Sequence, residues 1–251
     1  MAEDPLLSRI EDAGLNASAP AEQRWLDGWL LRFSPGKAKR ARCINAVAEG
    51  RLPLDERLAL AAEAYREAGL PLILRITPFT RPAGLEDAVA ALGWRSLDDT
   101  RVMVCRDFSA TTAPDLHPEP ADAATYAEVV GALRGSPAAQ RAAHARRLQT
   151  SPVPYRGYVV REGARVLACG QFAREAELVG LYDVFVAPEA RGRGLARRLC
   201  TWLLAQAAGE GARHAYLQVE GDNTPARAVY HRLGFTDAYA YHYRTPETGT
   251  V

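Results

Sequence analysis

Four arginines crowd a glycine-spaced turn in the back half of this 251-residue chain. Leu181–Val186 reads as an apolar strand, and Pro188 ends it. Arg191-Gly192-Arg193-Gly194-Leu195-Ala196-Arg197-Arg198 then opens a helix whose Leu195, Leu199, Trp202, Leu203 and Ala207 recur at helical spacing. Such a turn offers unbonded backbone N–H groups and the positive end of a helix dipole to an anion. A structural helix favours Asp or Glu there. Cations oppose the dipole by roughly 0.3–1 kcal/mol each at most, and an anionic partner removes that conflict. No Gly-Lys-Ser/Thr follows, so the turn is not a P-loop, and no Gly-x-Gly-x-x-Gly marks a dinucleotide fold.

Downstream, Ala215–Val219 reads as a strand and Pro225 to Leu233 as a helix. Thr224 is expected as its N-cap, Pro225 at the first helical position and Gly234 just past its end. Ala226, Val229 and Leu233 form the expected apolar stripe, with Tyr230 beside it.

Over residues 155–245 these features together resemble the GNAT superfamily of N-acetyltransferases. Arg191, Gly194 and Ala196 match the pattern Gln/Arg-x-x-Gly-x-Gly/Ala. Asn223 and Tyr230 match Asn-x-x-x-x-x-x-Tyr, closed by Leu233-Gly234-Phe235. The resemblance implies that acetyl-CoA is the co-substrate. It also implies that Arg191, Gly192, Arg193, Gly194, Leu195, Ala196 and Arg197 cradle its pyrophosphate, with Asn223 and Tyr230 alongside. In the family the strand before the loop splays from its neighbour, which here would free the backbone of Val184, Phe185 and Val186.

Acetyl transfer to an amine passes through an oxyanion and expels a thiolate. The oxyanion needs donors, which backbone N–H groups supply. The thiolate needs a proton. Tyr230, with an ordinary phenol pKa of about 10, is the candidate general acid. The amine, with an ordinary pKa of about 10.4, must first lose a proton. Asp183 and Glu220 are the base candidates, with Glu175 and Glu177 as further carboxylates able to act through water. His231 turns about 100° from Tyr230 on the same helix and is expected in solvent.

Composition bounds the rest. Lys and Arg total 31 against 30 Asp and Glu, a net charge of +1, which gives no field toward nucleic acid or an acidic membrane. Cys43, Cys105, Cys169 and Cys200 are scattered through apolar context, so they read as buried thiols and not as metal ligands. The acidic Met1-Ala2-Glu3-Asp4 start lacks the apolar run of a signal peptide, and no segment approaches membrane-spanning length. A cytoplasmic protein is expected.

The turn-rich stretch 109–120 divides the chain, and the halves repeat one α/β unit. In the first half Gly28–Phe33, Cys43–Val47 and Leu72–Ile76 read as strands, Leu54–Ala68 and Glu86–Leu92 as helices, and Gly93-Trp94 ends the second helix. Asp98–Cys105 and Ala238–Arg244 close the two units. After Val47 no arginine-glycine turn occurs, and Val89 and Pro82 stand opposite Tyr230 and Asn223. The expected fold is α/β (α+β), with two GNAT-like domains, each a mixed, mostly antiparallel sheet flanked by helices. Residues 1–108 are expected as a degenerate GNAT-like domain, 109–120 as a linker and 121–251 as the catalytic domain, an arrangement that resembles tandem GNAT proteins in which one domain keeps acetyl-CoA; the alternative for the first half is a separate α/β domain without kinship. Ala123–Leu133 and Ala138–Leu148 read as helices, and the resemblance implies that helices at this place line the acceptor site, with Tyr126, Arg134, His144, Arg146 and Arg147 as the residues that could touch it; Trp25 and Trp29 are expected in packing. The leading reading is an acetyl-CoA-dependent N-acetyltransferase acting on a small-molecule or peptide amine in a ternary complex. The alternative is a non-catalytic acyl-CoA-binding or regulatory protein on the same fold. No nucleic-acid, membrane or metal partner is expected; acceptor, acyl length and oligomeric state (monomer or homodimer) stay open.

Overall fold

The structure, a computed structural model, describes residues 4–108 and 115–247. The Asp4 carboxylate accepts from Leu6 N–H at 3.0 Å and caps α1 (Pro5–Ala17). Then follow β1 (Glu22–Leu26), β2 (Trp29–Phe33), β3 (Ile44–Ala46), α2 (Leu54–Glu67), β4 (Leu74–Ile76), α3 (Leu85–Ala91) and β5 (Arg95–Cys105). The second half brings β6 (Glu119–Ala121), α4 (Ala123–Leu133), α5 (Ala138–Thr150), β7 (Tyr155–Glu162), β8 (Arg165–Glu175) and β9 (Leu178–Val186). After these come α6 (Leu195–Gly209), β10 (His214–Glu220), α7 (Thr224–Arg232) and β11 (Thr236–Thr245).

Among the described residues eleven strands form one sheet in the order β1-β2-β3-β4-β11-β5-β10-β9-β8-β7-β6. Of these, β3/β4 and β9/β10 pair in parallel and the other neighbours antiparallel. The two expected sheets are joined because each half gives its last strand to the other. β5 pairs with β10, β11 pairs with β4, and β5 and β11 pair with each other. The exchange leaves neither β4 nor β10 as a bare edge.

Both faces are covered. On one, α6 packs on Phe172, Val179, Leu181 and Leu217, and α2 and α3 cover Leu31, Ile44, Leu74 and Ile76. The alternate residues face the other side, where α1 buries Ile10, Ala13 and Ala17 against Val104, Leu178, Tyr182 and Tyr216. Beside it α4 and α5 bury Tyr126, Val130 and Leu148 on Val159 and Cys169.

Two expectations change, the linker and Trp25. Residues 109–114 of the stretch expected as a linker lie outside the described residues, and Glu119–Ala121 is an edge strand on β7. Pro120 fits there because an edge residue need not donate to a neighbour. Trp29 is fully buried, but Trp25 is 66% exposed on the edge strand β1. All four cysteines are buried and free. Among the described residues no helix is long and apolar enough to cross a membrane, and no group of three or more His, Cys, Asp or Glu could hold a metal.

Candidate active site

β9 and β10 pair from Leu178–His214 to Leu181–Leu217 and no further, although β9 continues to Val186 and β10 to Glu220. The parting begins at Asp183. Its φ is +49°, and the β8 register slips by one residue between Tyr182–Gln171 and Phe185–Cys169. A bulge of this kind bends its strand. On the β8 side Ala187 N–H donates to Leu167 O at 2.9 Å. Strand alternation therefore turns the Val184 and Val186 peptide groups toward the gap. Val184, Phe185 and Val186 are all half-buried.

Beyond β9 a short turn, Pro188–Ala190, leads to Gly192 and Gly194, both with positive φ. A Cβ placed on either would meet nothing within 4 Å. Gly194 begins α6 with no side-chain cap and no acidic residue in the first turn, so the end that starts with Leu195 and Ala196 stays open. Arg191, Arg193 and Arg197 are exposed around it. Arg191 lies over the Phe185 ring at 5.8 Å and donates from Nε to Val186 O at 3.4 Å. Arg193 reaches Glu162 at 3.5 Å, and Arg198 is committed to Asp115 at 2.7 Å.

α7 follows β10. Its N-cap is Asn223, whose side chain accepts from Ala226 N–H at 3.2 Å; Thr224, expected in that role, is already helical. Ala226, Tyr230 and Leu233, not Val229, pack on the α6 core. Tyr230 is half-buried with its ring 6.1 Å from Phe235. Burial, with the neighbouring Cys200, pushes its phenol above the usual value, so it keeps its proton at neutral pH. His231 is exposed, as expected, with Nδ1 3.0 Å from Phe235 O.

The carboxylates separate by position. Glu175 and Glu177 sit at the β8–β9 turn, the opposite end of β9 from the gap, where Asn16 and Arg9 hold them. Glu220 ends β10 and is exposed. Asp183 gathers the helices. Arg134 at the end of α4 donates to its Oδ1 at 2.8 Å, Gln171 on β8 donates to its Oδ2 at 2.8 Å, and His144 Nε2 on α5 stands 3.3 Å from Oδ2. The Tyr126 hydroxyl donates to the Asp183 backbone O at 3.0 Å. Burial alone would raise this carboxyl, but His144 and Arg134 override it and hold it far below the usual range. Of the helix residues considered from sequence, Tyr126, Arg134 and His144 thus meet at Asp183. Arg147 instead lies over the Tyr155 ring, and Arg146 is exposed. Gln171 was not foreseen; a fully buried glutamine amid Ala168-Cys169-Gly170 and Phe172-Ala173 is the signal that marks it.

The chain is similar to known proteins. A family model described as "Probable histone acetyltransferase Rv0428c C-terminal" matches residues 7–244. The uncharacterized N-acetyltransferase YobR of Bacillus subtilis is 26% identical over 235 residues, covering 91% of this chain and 94% of that protein. A mycothiol acetyltransferase of Streptomyces bingchenggensis is 52% identical, but over 56 residues only, 22% of this chain and 18% of that enzyme. Among solved structures, a GCN5-related N-acetyltransferase from Kribbella flavida aligns with a TM-score of 0.70 at 17% identity, over 96% of this chain and 95% of that one. A tandem GNAT protein from the clavulanic acid biosynthesis pathway aligns at 0.59 and 20% identity, over 80% and 72%.

Proposed function

The chain belongs to the family of that model, among the GNAT N-acetyltransferases, and is an acyltransferase; we propose that it moves the acetyl group of acetyl-CoA to a primary amine of a small molecule by direct attack in a ternary complex. The observation that carries this reading is the meeting of two openings. The gap where β9 leaves β10 adjoins the uncapped, arginine-ringed start of α6.

The residues present fit the co-substrate. A pyrophosphate would rest on the α6 N-terminus, with Arg191, Gly192, Arg193, Gly194, Leu195, Ala196 and Arg197 around it, in space that no side chain fills. Acetyl-CoA supplies an activated thioester. The Val184–Val186 backbone holds the acyl oxygen as negative charge grows on it. Asn223 fixes the start of α7 and so the height of Tyr230 above the cleft. Tyr230, neutral at pH 7, gives its proton to the departing sulfur. Asp183, fixed as an anion by Arg134, Gln171 and His144, is a poor direct base and instead holds the α4 and α5 residues beside the cleft. Glu220, exposed on the other wall, takes the amine's proton through water.

Titration calorimetry with coenzyme A tests the first part; no measurable affinity removes the reading. Release of free thiol from acetyl-CoA with a panel of primary amines tests the second. Binding without release for any amine would indicate an acyl-CoA-binding protein instead.

A further inference from the structure

The first half has its own parting of parallel strands. β3 and β4 pair at Ile44–Leu74 and Asn45–Arg75 and then separate, and Arg81 N–H takes the next acceptor, Ala46 O, at 2.9 Å. Beneath α1 the parting opens a cavity of about 200 Å³, room for several waters. Ser8, Glu11 and Asp12 line it from the helix, and Asn45, Arg75 and Thr80 from the sheet side.

Most polar groups in it are already engaged. Arg75 forms a buried ion pair with Glu11 and lies 3.9 Å over the Tyr241 ring, and the Tyr239 hydroxyl donates to Glu11 Oε2 at 2.7 Å. Thr80 Oγ1 accepts from Thr77 N–H at 2.9 Å. Two acceptors are not engaged. Asn45 is 4% exposed, and its Oδ1 has no hydrogen-bond partner among the described residues. Asp12, at the mouth, has no ion pair among them. An unmet buried acceptor is costly.

We propose that this cavity is a second binding site, taking a small polar primary amine whose ammonium pairs with Asp12 and whose second donor reaches Asn45 Oδ1. The vacant groups are acceptors, so the ligand must donate. Arg75 is neutralised by Glu11, and Arg81, which also lines the cavity, is engaged as well, so Asp12 is the charge on the helix wall for which the described residues give no ion pair. Burial, then Glu11 and Glu175, push the Asp12 carboxyl above its usual value, which a bound cation would reverse. The cavity lies on the α1 face of the sheet at β3/β4, apart from the β9/β10 gap, so the site does not depend on acetyl transfer.

The test is calorimetry of the full chain with serinol (2-amino-1,3-propanediol) at pH 7, with glycerol as its uncharged match. Saturable binding of serinol, none of glycerol, and at least tenfold weakening in both Asp12→Asn and Asn45→Ala are the expected results. If Asn45→Ala does not fold, Asp12→Asn decides alone, because that side chain is exposed. Equal heats for the two compounds, or serinol affinity unchanged in Asp12→Asn, overturn the proposal. So does a serinol-soaked crystal with water alone in the cavity.

Discussion

The two helices that connect the strands of the two parallel pairs begin in opposite ways. At α6, Gly192 and Gly194 face open space and the helix start is ringed by arginines. At the approach to α2 the protein supplies its own anion. The Asp27 carboxylate accepts from Arg51 N–H at 2.8 Å and from Leu52 N–H at 2.8 Å, with Arg57 Nε 3.5 Å away. Asp55 and Glu56 occupy the first turn of α2, the arrangement a helix dipole favours. A Cβ on Gly50 would strike Asp27 O at 2.5 Å. One helix start is closed by a residue of the chain, and the other has no side-chain cap among the described residues. A helix N-terminus is therefore informative about ligands only once its internal partners are known.

The contrast can be broken at several points. Tyr230→Phe leaves the α6 start untouched and removes the proposed proton donor. A fall in kcat on the order of 10²–10⁴, with coenzyme A affinity retained, is expected from steady-state kinetics beside calorimetry. Gly50→Ala and Gly194→Ala should separate stability from binding. Both put a side chain at positive φ, costing about 1–2 kcal/mol. Gly50→Ala adds a collision with backbone, so denaturant melts should show a loss nearer 3 kcal/mol. Gly194→Ala should instead weaken coenzyme A binding about tenfold, near 1.4 kcal/mol, because its Cβ projects where the pyrophosphate would rest. A larger loss of stability at Gly194 than at Gly50 would invert the comparison.

Two acid-range effects are smaller. The folded-state pKa of Asp183 is lowered, so its stabilising contribution is present above the ordinary carboxylate value near 3.9 and is lost as pH falls toward the lowered one. Asp183→Asn should cost about 1–2 kcal/mol at pH 7 and flatten urea stability against pH below about 5. The Asp27 carboxyl is likewise held down, first by the Leu52 and Arg51 N–H bonds. Asp27→Asn should flatten the same range by less, without changing coenzyme A affinity.

The α6 turn was legible because its requirements are local. Glycines at positive φ, a proline before them and an apolar helix after them all lie within 20 residues. The Asp183 cluster was not, since Arg134, His144 and Gln171 come from three elements and only packing decides that they meet. α1 escaped notice for a related reason. Gly14 and Asn16 weaken its helical propensity, and it depends on Ile10, Ala13 and Ala17 finding the sheet. The strand exchange was equally hidden, because Asp98–Cys105 and Ala238–Arg244 carry alike patterns that do not name their neighbours.

That interleaving makes the first half indispensable to the reaction even if it never touches a substrate. β10, one wall of the cleft, leans on β5 over all but its first residue, from Ala215–Cys105 to Glu220–Thr100. A polypeptide severed within residues 109–114 should stay clasped together, whereas a gene trimmed to the second half would yield a sheet with a naked flank, prone to clumping. Shortening this protein to its chemistry would dismantle the surface on which that chemistry is held.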